Sequence, residues 1–63
     1  MDQGEHLTSD QLGQRWQVTK EFLAQQRYLG DGPAYLKVGR RVLYPLTLVL
    51  EYEHANTVRP GAA

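Results

Sequence analysis

The chain has 63 residues, equal numbers of acidic and basic side chains, no cysteine and a formal net charge of zero. That length allows one domain with a modest core, because a chain this short buries only about 60% of its unfolded surface. Disulfides and thiolate metal sites are excluded, and His6 and His54 are too far apart for the paired ligand spacing of structural zinc.

Residues 1–6 form a polar, acidic N-terminal arm, unlike a signal peptide. Thr8 and Gln11 have the spacing of a capping box, opening a helix predicted over 9–16 with Leu12 and Trp16 on one face. Gln17 and Val18 make a turn. Thr19 then caps a second helix, Lys20 to Leu29, which stops at Gly30. Two short helices joined so closely form a helix-turn-helix unit. Gly30-Asp31-Gly32-Pro33 is a concentrated turn signal, followed by strand-forming residues at Tyr35–Val38 and Val42–Tyr44. A three-residue loop, Gly39-Arg40-Arg41, is predicted between them. It sets Val38 opposite Val42 and Leu36 opposite Tyr44, with all four on one face. A two-residue loop mixes charged and apolar residues on each face. Pro45 is expected to end strand pairing and Thr47 to cap a last helix, Leu48 to His54. Residues 57–63 are expected to be a disordered tail. No run approaches the roughly 18 apolar residues of a membrane span, so a cytoplasmic protein without membrane contact is expected.

Charge is segregated along the chain. Residues 1–10 hold three acids and no base. The middle, 11–41, holds Arg15, Lys20, Arg27, Lys37, Arg40 and Arg41 against only Glu21 and Asp31. Such clustering is a footprint for nucleic acid when the fold gathers it onto one surface.

The stretch from Leu7 to Tyr52 resembles the MerR-like winged-helix group that includes phage excisionases and AlpA-type regulators. The residues that carry the resemblance are Leu7-Thr8 with Leu12, Val18-Thr19 with Leu23, Gly32-Pro33, and Val38-Gly39-Arg40-Arg41-Val42-Leu43-Tyr44 before a short amphipathic helix. The chain departs from the group's usual residues at Phe22, Gln25, Gln26 and Leu48. The resemblance implies an α+β fold, a small winged helix-turn-helix with three helices and a two-stranded hairpin wing, spanning 7–56. It implies a protein that binds and bends double-stranded DNA beside an attachment site and helps integrase toward excision. A transcriptional regulator with the same DNA contacts is the alternative.

On that resemblance the second helix enters the major groove, presenting Lys20, Glu21, Phe22, Gln25 and Arg27. Gln25 suits adenine, Lys20 or Arg27 suits guanine or phosphate, and Glu21 suits cytosine. Thr19, at the helix start, is placed for a phosphate. Arg40 and Arg41 suit phosphate or a narrow minor groove. Lys37 and Arg15 are lesser phosphate candidates. Trp16 and Tyr44 are assigned to the core, while Tyr35 stays open. Leu43, Leu46, Leu48 and Leu50 exceed what one small core holds, so they are expected to mediate association between copies along DNA. A protein-interaction module, such as an antirepressor, is the reading from another class. Catalysis lacks parts: Ser9 is the only serine, Glu51 and Glu53 point different ways, and Gly30-Asp31-Gly32 is no dinucleotide loop. No catalytic residue, metal, cofactor or small-molecule substrate is expected.

Overall fold

The computed structural model describes residues 5–61. In chain order the elements are β1 (His6–Thr8), α1 (Ser9–Trp16), α2 (Lys20–Leu29), β2 (Leu36–Val38), β3 (Arg41–Pro45) and α3 (Leu46–Ala55). The result is a small α+β fold of three helices and one antiparallel sheet in the order β1-β3-β2. No helix among the described residues is long and apolar enough to cross a membrane.

Local chemistry closes the first two helices. Thr8 Oγ1 accepts from Gln11 N at 3.1 Å, and Gln11 Oε1 accepts from Thr8 N at 2.9 Å. Both partners of the capping box are therefore in place. Gln17, with φ 61°, turns the chain out of α1, and Val18 N donates back to Gly13 O at 2.9 Å. Thr19 Oγ1 accepts from Phe22 N at 3.0 Å to start α2, and Gly30 ends it at φ 75°. Both helices have the predicted bounds.

The sheet departs from expectation in three ways. First, β1 joins it: Leu7 pairs with Tyr44 and Thr8 with Leu43, so the hairpin gains a third strand. The domain thus takes in Glu5 and His6, which were expected in an arm, while residues 1–4 lie outside the described residues. Second, the hairpin loop has two residues, not three. Val38 pairs with Arg41, Lys37 with Val42 and Leu36 with Leu43. Gly39 takes φ 60°, the conformation required at the first position of a type II′ turn, whose twist matches the flanking strands. Turn geometry outranked the apolar pairing that favoured a longer loop, and it moved Arg41 out of the tip into β3. Third, Pro45 lies within β3 opposite His6.

Alternation along the strands then sorts the faces. Leu7, Val42 and Tyr44 face the helices, with Lys37 on the same side by register. Leu36, Val38, Arg41 and Leu43 occupy the opposite side.

Helix α3 begins at Leu46, two residues before the predicted start, and Thr47 caps nothing. The Leu46 N–H, one of the unpaired donors of the first turn, donates instead to Glu5 O at 2.9 Å. At the far end, Asn56 Nδ2 and Thr57 Oγ1 donate to Tyr52 O and Glu53 O, at 2.8 and 2.7 Å. Residues 62–63 of the expected tail lie outside the described residues. One core joins everything: Leu12 of α1, Leu23 of α2, Tyr44 of β3 and Val49 of α3 are fully buried, flanked by Leu7, Trp16, Val18 and Val42.

Candidate nucleic-acid interface

Of the seven basic side chains, Arg59 lies exposed beyond α3, and the other six sort by what they touch. Arg15 is taken up. Its guanidinium donates to both oxygens of Glu53, at 2.6 and 2.9 Å, and Trp16 Nε1 donates to the same carboxylate at 2.6 Å. The Arg15 and Trp16 hydrogen bonds hold the Glu53 carboxyl down to about 2. Trp16 also lies 5.6 Å from the Tyr52 ring, so the cluster fastens α1 to α3. Trp16 belongs to the packed interior, and Arg15 is removed from the lesser phosphate candidates by its carboxylate.

Arg27 is engaged within the fold as well. Its Nη1 donates to Tyr44 Oη at 2.7 Å and stands 3.5 Å from Ser9 Oγ, while the guanidinium lies 5.7 Å from the Tyr35 ring centroid. Tyr35 in turn packs against Tyr44, with ring centroids 6.1 Å apart and planes tilted by 53°. The open question of Tyr35 is answered by these contacts: it covers Tyr44 at the base of the hairpin.

Lys20, Lys37, Arg40 and Arg41 are different. All four are exposed, and none makes an ion pair or side-chain hydrogen bond among the described residues. Lys20 starts α2, Lys37 sits on the helix-facing side of β2, Arg40 is in the turn and Arg41 opens β3 on the opposite side. Only Leu23 of α2 is buried; Glu21, Phe22 and Gln25 are exposed beside Lys20. Ser9, Lys20, Glu21, Ala24 and Arg27 line an open groove of about 220 Å³ between the starts of α1 and α2. The Thr19 hydroxyl oxygen accepts the cap bond, which leaves its O–H as a donor. Among the described residues no three His, Asp or Glu side chains gather as a metal site.

The four leucines assigned to association do not form one strip. Leu43 is half-buried on the outer side of the sheet, beside the exposed Leu36 and Val38. Leu46 and Leu50 share one stripe of α3 by their spacing, and Leu50 is 47% exposed. Leu48 lies on another, lining a shallow depression with Gly32, Pro33, Ala34, Glu51, Tyr52 and Ala55.

The roles of Arg27 and Glu53 had no local signal, since their partners are distant in sequence. The apolar outer patch of Leu36 and Val38 was legible only once the turn length was known. Compared with known protein families, curated proteins and solved structures, the chain matches none.

Proposed function

We propose that this protein is a double-stranded DNA-binding module of the winged helix-turn-helix kind. In this reading α2 enters the major groove with Lys20, Glu21, Phe22 and Gln25 toward base edges and Thr19 toward a phosphate. The β2–β3 hairpin is the wing, gripping the adjacent backbone with Lys37, Arg40 and Arg41. The observation that carries it is the placement of four exposed cations, Lys20 on α2 and Lys37, Arg40 and Arg41 on the hairpin, without carboxylate partners among the described residues. Exposed cations on a reading helix and a hairpin suit a polyanion. The resemblance to excisionases extends the proposal to an architectural role. Copies bind beside an attachment site and associate through separate apolar surfaces, Leu43 on the sheet and Leu46, Leu48 and Leu50 on α3, so that the face of one copy meets a different face of the next; they bend the duplex and cooperate with integrase.

Selection from a random duplex pool, followed by titration at several salt concentrations, tests the reading. A defined sequence is expected to emerge. Three cationic phosphate contacts, from Lys37, Arg40 and Arg41, give a slope of log K against log salt of about −3. Arg40→Ala with Arg41→Ala is expected to weaken all duplexes alike, whereas Lys20→Ala or Gln25→Ala relaxes preference at single base pairs. A slope near zero overturns the DNA reading and favours a protein-interaction module.

A further inference from the structure

We propose that Arg27 is a positioning residue: it braces the hairpin against α2, and it serves DNA binding through the angle between those two elements. The inference rests on the DNA-binding reading above, and it takes Arg27 out of the set that touches bases or phosphates.

Helix α2 packs mainly on α1. It reaches the hairpin through side chains, Leu23 in the core and Arg27 at its edge. The Arg27 guanidinium meets three elements at once. It donates to the hydroxyl of Tyr44 in β3, stands beside the hydroxyl of Ser9 at the start of α1, and lies over the ring of Tyr35, which leads into β2. Both hydroxyls are met by one nitrogen, Nη1, while the planar guanidinium lies against the Tyr35 ring; a lysine ammonium is compact and strongly hydrated and has no plane to set on that ring. Tyr44 is itself immobilised, its ring fully buried while its hydroxyl accepts from Arg27. Bending at this junction changes how far the Arg40 turn stands from the exposed face of α2, and therefore whether both reach the same duplex.

Three variants separate bracing from contact. Arg27→Lys keeps the charge and loses the planar group that sits on Tyr35 while it bonds Tyr44. Arg27→Ala loses both. Tyr44→Phe keeps every charge and the buried ring while deleting the acceptor. Binding to the duplex selected by the wild-type protein is measured across salt. Alongside it, residual dipolar couplings of the DNA-free protein report the angle between α2 and the β2–β3 hairpin.

Arg27→Lys and Tyr44→Phe are each expected to bind roughly tenfold more weakly, the worth of one charge-assisted hydrogen bond, with the salt slope unchanged. The couplings are expected to show the hairpin reoriented or averaged in both. Wild-type affinity in Arg27→Lys overturns the proposal. So does a slope reduced by about one in Arg27→Ala, the mark of a lost phosphate contact, or unchanged couplings in Tyr44→Phe. If the wild-type protein binds no duplex, the DNA reading falls, and the couplings alone still decide whether Arg27 sets the angle.

Discussion

Helices α1 and α2 are closed by partners within one turn: Thr8 with Gln11, Thr19 with Phe22, Gly30 with Gln26 and Arg27. The sheet and α3 are closed largely from far away. Leu46 opens α3 on the carbonyl of Glu5, and β3 takes β1 as its second partner. The two halves also divide the proposed work. The helix half presents the reading surface, and the sheet half, braced through Arg27 and Tyr44, sets where the hairpin cations stand. Precision in the first comes from caps, and in the second from register.

The largest effect tests whether the halves are separable at all. Leu23 is the buried side chain that α2 contributes to a core shared with Tyr44 and Val49. Leu23→Ala is expected to cost about 2–5 kcal/mol, a large fraction of the stability of so small a domain. Urea unfolding followed by helix and by tyrosine signals should show one transition at a lower midpoint. Two separated transitions would mean that the sheet half folds independently. Next comes Gly13, whose place in α1 sets the approach of the two helices. A Cβ there would lie 2.7 Å from the carbonyl oxygen of Val18, which is backbone and cannot swing aside. Gly13→Ala is expected to destabilise by roughly 1–3 kcal/mol, read by thermal unfolding, although alanine is the better helix former.

The same contrast explains what was legible in the sequence. Both α1 and α2 were readable to the residue, because threonine, glutamine and glycine act on neighbours. The hairpin was readable as a hairpin, yet its register was not. The pattern Leu36, Val38, Val42, Tyr44 argued for one shared apolar face, and the positive φ available to Gly39 decided otherwise. Strand β1 is three residues with no strand signal of its own, and it exists because β3 offers an edge. In the candidate interface, exposed Lys20, Gln25 and Arg40 were readable from position. The internal engagements of Arg15 and Arg27 were not, since each depends on a partner that folding delivers.

Two threonines sharpen the comparison further. Thr19 caps α2 and Thr47 lies inside α3 without capping it. Thr19→Ala is expected to cost about 1 kcal/mol, while Thr47→Ala stays within about 0.5 kcal/mol of wild type. Equal losses in chemical denaturation would show that α3 depends on a local cap after all, and not on the Glu5 carbonyl.

The smallest effect concerns a charge cluster that ties the two halves together away from the candidate interface. The Glu53 carboxyl is held at about 2 in the folded protein, against an ordinary value of 4.5, first by the Arg15 hydrogen bonds and then by Trp16. Its folded value is lower than its unfolded one, so its contribution is complete above the unfolded value and is lost as pH falls toward the folded one. Glu53→Gln keeps the shape and removes the charge. At neutral pH the variant should melt a few degrees below wild type, a modest gap because the pair is partly exposed. Between pH 4.5 and about 2 the gap should narrow as wild type alone loses its carboxylate. Added salt should narrow it at pH 7 as well. No gap at neutral pH would mean that the charge of Glu53 contributes nothing, and α1 would then be joined to α3 by the aromatic pair, Trp16 and Tyr52, rather than by charge.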